Sequence, residues 1–193
     1  TGGIYAVTTL NYSDERIKNV IGVSNTEEDL NTLNKIKITD YTMKDRVMWG
    51  NTPFKKVIAQ QVEQVYPQAV TQKTDFIPNV YACADKVEKT ATGYTITVQK
   101  TLPELKGKRI RLEVEGAGQV DADLIAINGA NQFSIATPVD LTTGKVFIYG
   151  EEVNDFRAVD YEAISMINVS ATQELPKQLK ETQPHLKDVE DEN

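Results

Sequence analysis

One cysteine, Cys83, and one histidine, His185, are all that the 193-residue chain holds of the two residue types behind most metal and nucleophile chemistry. A lone cysteine excludes an internal disulfide framework and any cysteine-based metal cluster. A lone histidine excludes a multi-histidine metal site and leaves little room for a histidine-dependent triad. If the chain carries out covalent catalysis, its general base is another group, and lysine is the obvious remaining candidate. Long apolar runs are absent too, so no membrane span is expected within this chain, and no basic-then-apolar leader opens it. The abrupt start at Thr1-Gly2-Gly3 reads as a cut from something longer. A basic face is also missing. The 21 Lys and Arg residues are scattered, and 28 acids bring the formal net charge to −7, which argues against nucleic acid as a partner. No cofactor is implied.

What is present alternates between two textures. Residues 4–10 are β-prone after the Gly-Gly breaker and read as a strand. Ser13-Asp14-Glu15-Arg16 reads as a helix start or tight turn with Ser13 as the cap. Thr26 opens a helix with an apolar stripe of Leu30, Leu33 and Ile36, and residues 37–43 alternate as a strand. Trp49 to Pro53 reads as a loop, and the stretch 54–65 as the clearest helix, with Ile58, Val62 and Val65 on one face, stopped by Tyr66-Pro67. Val70 then resumes the chain in extended form.

From 82 to 150 short β-rich runs recur at 94–98, 109–114, 123–127, 132–136 and 145–149, separated by Gly-containing turns. Five strands with little helix between them predict a small antiparallel barrel or sandwich, inserted between two halves of another domain. Residues 159–175 return to helical spacing through Ile164, Ile167, Ala171 and Leu175. Pro176 is expected to break or kink that helix. The acidic stretch 187–193 is expected to be disordered. The fold class is therefore α/β in the α+β sense: a mixed helical and stranded core, an inserted antiparallel β module and a C-terminal helix.

Three separated segments carry a resemblance. Ser13-Asp14-Glu15-Arg16-Ile17-Lys18 has a Ser-Asp-x-Arg-x-Lys pattern. Val57-Ile58-Ala59-Gln60-Gln61-Val62 runs on to Pro67-Gln68-Ala69-Val70. Val159-Asp160-Tyr161-Glu162-Ala163-Ile164 is followed by Ala171-Thr172-Gln173-Glu174-Leu175. In this order they resemble the auto-processing intramolecular chaperone domain at the C-terminus of phage endosialidases, tail spikes and tail fibres, with a related copy in the myelin regulatory factor. The sequence departs from the pattern in the 82–150 insert, in Pro176, and in Gln61 where glutamate is usual.

The resemblance implies a domain that drives homotrimer assembly of an upstream fibre or spike segment of the same polypeptide and then releases itself by single-turnover autoproteolysis. Carried over, the nucleophile is Ser13, the base is Lys18, and the scissile bond joins Tyr12 to Ser13. Residues 1–12 would be the end of the upstream segment, 13–81 and 151–183 the two chaperone halves, 82–150 the insert and 184–193 an acidic tail. The implied setting is a phage tail fibre or spike precursor assembled in the host cytoplasm. A lysine acts as base only when neutral, which needs desolvation far from the reference value of about 10.4, and an interface between chains would supply it. On a regular helix, residues five apart point about 140° apart, so Ser13 is expected outside the helical cylinder with the lysine stem curling back. Ile164 and Ile167 are the expected partner-facing positions of the closing helix.

Plainer readings stand beside these. Ser13 in isolation is an ordinary cap, Lys18 a solvated charge, and Gln60 and Gln61 polar positions of an amphipathic helix. Trp49 is a partly buried anchor or a binding spot; Cys83 is a small buried residue or an idle thiol. Glu151-Glu152 with Asp155 reads as a solvated turn, since the spacing fits no calcium loop. The rival for the whole chain is a non-cleaving trimerisation or attachment domain of a phage or cell-surface fibre. A carbohydrate- or receptor-binding role for the insert finds no aromatic cluster in 82–150 to support it.

Overall fold

The computed structural model describes the backbone of residues 13–191 and side chains through 183. The expected strand at 4–10, Tyr12 and the His185 side chain lie outside the described residues. The chain divides into two compact units, Thr1–Asn31 with Ile167–Asn193, and Thr32–Met166.

In the larger unit, β1 (Thr39–Thr42) and β2 (Pro53–Lys56) form an antiparallel pair with Thr39 opposite Lys56. Pro53 is tolerated because each strand of a two-stranded sheet is an edge, where a missing N–H breaks no ladder. Between them lies the short helix α2 (Arg46–Trp49), capped by the Asp45 carboxylate, which accepts from the Met48 N–H at 3.0 Å. Gly50 ends it with φ of 60°, a conformation that favours glycine. Trp49 thus closes a helix rather than opening a loop. It is half-exposed and meets Phe54 edge-on at 5.8 Å, as the anchor reading expects.

The helix expected over 54–65 shrinks to α3 (Ala59–Glu63). Phe54, Lys55 and Lys56 belong to β2 instead, where the Phe54 ring stacks on Tyr41 at 5.8 Å. This cross-strand pairing outweighs the local helical spacing. A 3-10 turn at Pro67–Ala69 follows, with proline at its start. Val57, Val62 and Ala69 form a small buried cluster against Ile36, Tyr66, Val70, Val159, Ala163 and Ile164. Val62 alone, 1% exposed, contributes about 1.5–3 kcal/mol through burial.

From there the chain enters an eight-stranded antiparallel sheet. Its strands are β3 (Val70–Phe76), β4 (Ala82–Cys83), β5 (Lys86–Lys89), β6 (Tyr94–Thr97), β7 (Arg109–Val114), β8 (Gly118–Gly129), β9 (Gln132–Ala136) and β10 (Val146–Val159). They pair in the order β3-β10-β7-β8-β9-β6-β5, with β4 joined to β10 off that path. Helices and a mostly antiparallel sheet make the fold α+β, as expected. The sheet is an open path, however, and its end strands β3 and β5 do not pair with each other, so it is not a closed barrel.

Alternation selects the buried face: Tyr94 and Ile96, Ile110, Leu112 and Val114, Phe133 and Ile135, Val146 and Ile148 share one core. Loop residues Val80, Leu102, Leu105, Val139 and Leu141 pack over it. Cys83 is exposed.

β10 is the longest strand, pairing with β7 through Val146–Glu151 and with β3 through Glu152–Val159. A register shift falls between Ile148 and Gly150. Gly150 passes so close to the preceding loop that a Cβ would lie 2.0 Å from the Ile77 carbonyl oxygen. Glu151 follows and is 4% exposed. It is therefore no solvated turn but a buried carboxylate, accepting from Asn79 Nδ2 at 2.7 Å, Lys106 N–H at 2.6 Å and Gly107 N–H at 2.5 Å. Tyr81, just before the 82–150 segment, gathers two rings of that segment, standing edge-on to Phe147 at 4.9 Å and to Tyr149 at 6.2 Å.

The smaller unit holds a 3-10 turn at Glu15–Ile17, most of α1 (Thr26–Leu33) and most of α4 (Tyr161–Asp191). Asn25 caps α1, its Oδ1 accepting from the N–H groups of Glu27 and Glu28 at 3.2 and 3.3 Å. Asp160 caps α4 in the same way, accepting from Glu162 and Ala163 at 2.9 and 3.0 Å. Contrary to expectation, α4 runs unbroken through Pro176 and Pro184 to Asp191, so the acidic tail is helical as far as that residue. Each proline removes one i→i−4 bond, and the freed carbonyls belong to the exposed residues Thr172 and Lys180, where water replaces the lost donor.

Ile167, Ala171 and Glu174 are buried along one face of α4. Ile167 is therefore taken up within this chain, which corrects the expectation that it faces a partner, and Ile164 packs partly buried against the Val57, Val62 and Ala69 cluster. Among the described residues, the large exposed apolar side chains of α4 are Tyr161, Met166, Val169, Leu175 and Leu179.

Candidate functional site

The Ser13–Lys18 segment is organised by one carboxylate. Asp14, not Ser13, is the cap: its Oδ1 accepts from the Arg16 N–H at 2.9 Å, starting the 3-10 turn. The same carboxylate holds the Arg16 guanidinium in a bidentate pair, at 2.9 Å through Nε and 2.7 Å through Nη2. These bonds hold the Asp14 carboxyl below its ordinary range and push the Arg16 guanidinium higher still. The turn closes at Lys18, whose N–H donates to the Glu15 carbonyl at 3.0 Å and whose backbone is already extended at φ −119°.

Ser13 and Lys18 thus flank a single tight turn instead of sitting on a helical cylinder. Their side chains meet: Lys18 Nζ donates to Ser13 Oγ at 2.5 Å. The 140° separation of a regular helix is avoided because the turn is only three residues long. Both side chains are exposed. Tyr12, the other side of the expected scissile bond, lies outside the described residues.

Beyond Lys18 the chain runs without helix or strand to Asn25, and its apolar side chains stand in water. Ile17 and Val20 are 67% and 70% exposed, and Ile21 and Val23 are as open as in an extended chain. Four bare apolar residues within seven positions form a patch of the kind that partner surfaces cover.

The same unit contains a polar cluster that sequence reasoning missed. Thr26 Oγ1 donates to the Glu174 carboxylate, and Lys177 Nζ bonds both Thr26 Oγ1, at 2.5 Å, and Glu174 Oε2, at 2.8 Å. Asp29 Oδ2 accepts from both Ser24 and Ser170 at 2.5 Å. Lys177 and Thr26 hold the Glu174 carboxyl below its usual range. Thr26 and Glu174 stand 148 positions apart, so only the family-like placement of Glu174 in the closing segment hinted at a role. Elsewhere, Gln61 Oε1 lies at the limit of hydrogen bonding from Thr39 Oγ1, 3.5 Å, and Gln60 is exposed. Among the described residues no cluster of His, Cys, Asp and Glu is arranged to hold a metal ion.

The arrangement is a short charged turn that brings a serine hydroxyl into contact with a lysine side chain on an α+β scaffold. Residues 13–71 match a peptidase family described as the chaperone of endosialidase. The resemblance read from the sequence is borne out over that segment, which begins at Ser13 and ends just inside β3, and it supports an intramolecular chaperone role. The closing helix α4 lies outside the matched residues. No curated protein matches the chain.

Proposed function

We propose that this chain is a trimer-forming intramolecular chaperone that cuts itself from the segment upstream of Ser13, with Ser13 as nucleophile and Lys18 as base. The observation that carries the reading is the 2.5 Å contact between Lys18 Nζ and Ser13 Oγ at the first residues of the family match. Neutral Lys18 would take the Oγ proton while Oγ adds to the Tyr12 carbonyl carbon. The Tyr12–Ser13 C–N bond then breaks, the proton passes to the Ser13 amine, and the upstream segment is held as an ester on Oγ. Water hydrolyses that ester, leaving a carboxyl on Tyr12 and the Ser13 hydroxyl restored.

In the hydrogen bond described, the ammonium donates to the hydroxyl, and the base role reverses that direction. Loss of surrounding water favours the neutral amine, and in one chain Lys18 stands exposed. The bare apolar run Ile17–Val23 beside it supports a partner chain as the source of that desolvation. The exposed Met166, Val169, Leu175 and Leu179 of α4 offer a second apolar surface for the same homotrimer. The upstream partner in this reading is a phage tail fibre or spike, assembled before release in the host cytoplasm.

The test is intact mass. Purified protein should yield a fragment that starts at Ser13, and Ser13→Ala should stay whole while folding and assembling normally. Equal, undiminished masses for both after long incubation would leave the non-cleaving trimerisation reading in place.

A further inference from the structure

A cavity in the sheet-bearing unit is lined by aromatic rings and charged side chains. It encloses about 620 Å³ on the outer side of β7, β8 and β10, within the range of small-ligand pockets. Three aromatic rings line it at steep angles, Tyr81 standing at 88° to Phe147 and 69° to Tyr149.

Two features hold the rings in place at a local cost. Tyr81 has φ of 41°, the left-handed region that a bulky residue rarely occupies, and such positions gather at ligand sites. Its hydroxyl is pinned between the Asp45 carboxylate, to which it donates at 3.0 Å, and the Val47 N–H, from which it accepts at 3.1 Å. Tyr149 sits at the register shift of β10, the kind of irregularity that re-aims a side chain.

The charged residues lining the cavity are two carboxylates, Asp45 and Glu113, and one guanidinium, Arg111. Arg111 is already spent, forked onto Asp121 at 2.7 and 2.9 Å with its guanidinium 3.9 Å above the Phe76 ring. What remains is Asp45 and Glu113. The Glu113 carboxylate is exposed and has no partner among the described residues. Aromatic faces carry negative potential, and with two carboxylates they attract a cation and disfavour an anion. Burial first, and then the nearby Asp45 carboxylate, push the Tyr149 hydroxyl above its ordinary range.

The geometry points to a binding site for a small organic cation, an alkylammonium or quaternary ammonium group, held by Tyr81, Phe147 and Tyr149 with Asp45 and Glu113 as counter-charges. The site lies on the β-rich part of the chain and does not depend on whether Ser13 cleaves.

Titrating the full chain with choline while following aromatic-ring NMR signals tests it. Choline is expected to shift the ring resonances of Tyr81, Phe147 and Tyr149 and to saturate on the order of millimolar. Its neutral carbon analogue, 3,3-dimethylbutanol, should bind at least about fivefold more weakly, the size of one cation–π contribution. Glu113→Gln, on an exposed position, should fold normally and weaken choline by about threefold or more. Equal binding of choline and the neutral analogue would overturn the proposal and leave an apolar pocket. Shifts with a neutral hexose but none with choline would overturn it in favour of a sugar site.

Discussion

Replacing Glu151 by alanine tests whether the centre of β10 is held by its buried carboxylate. The wild-type side chain satisfies three donors, Asn79 Nδ2 and the N–H groups of Lys106 and Gly107. Truncation strands all three. A stranded buried donor costs about 1–3 kcal/mol, and bonds to a charged acceptor lie at the upper end. Lys106 is exposed and Gly107 partly so, and water can reach those amides after a small loop shift. The lower figure then applies to each, for a total of about 3 kcal/mol, a large share of a typical stability of about 5–15 kcal/mol. Glu151→Gln should cost less, about 1–2 kcal/mol, because one oxygen still accepts from the loop. Its NH₂ then faces the Asn79 amide, and Asn79 cannot flip to accept without losing the Glu151 N–H that its Oδ1 holds at 3.0 Å. Urea unfolding of the three proteins measures the order, and hydrogen exchange at Lys106 and Gly107 reports the freed amides. An alanine variant within about 0.5 kcal/mol of wild type would refute the reasoning, since that is the scale of an ordinary surface change.

Lys18→Arg keeps the charge and cannot supply a neutral base; cleavage should fall by at least about 10²-fold with unchanged circular dichroism, and cleavage at wild-type speed would remove Lys18 from the mechanism. Met166→Asp with Val169→Asp alters two exposed positions of α4, so the monomer should fold while light scattering shows loss of assembly, because each buried unpaired carboxylate costs several kcal/mol; a trimer of unchanged mass would place the interface elsewhere. Arg157 and Gln72 hold the Glu63 carboxyl below its usual value. That contribution is present above the unfolded-state pKa and is lost as pH falls through the depressed folded value, so Glu63→Gln should flatten the acid side of the stability profile, and identical profiles would discount the pair.

Strands whose apolar residues alternate were legible from the sequence: Tyr94/Ile96, Ile110/Leu112/Val114 and Phe133/Ile135 all lie where period two puts them. The 54–65 helix was misread because Ile58, Val62 and Val65 keep helical spacing while the deciding contact, Phe54 on Tyr41, crosses to another strand. Glu151 was misread for the same reason, its partners being about 45 and 72 positions away. At the site, motif reading brought Ser13 and Lys18 forward but misplaced the cap by one residue. Serine and aspartate both cap well, and Asp14 prevails because its second oxygen also takes the Arg16 guanidinium. Tyr81, Phe147 and Tyr149 left no trace in the sequence, since nothing local announces rings brought together by strand pairing.

The turn that joins Ser13 to Lys18 also sets a problem of timing. Closing a loop this short takes on the order of 10–100 ns, whereas β10 must find β3 far along the chain, with Val70 opposite Val159, a pairing of high contact order that forms far later. The serine–lysine contact can therefore form in a chain that has scarcely begun to fold, and its presence alone carries no information about whether the rest is ready. In a self-cutting protein the contact can be permanent only if a slow, late event arms it. Docking of chains is such an event, because its rate depends on concentration. Dilution of freshly refolded protein should then delay the appearance of the Ser13 fragment, while the turn itself forms just as fast.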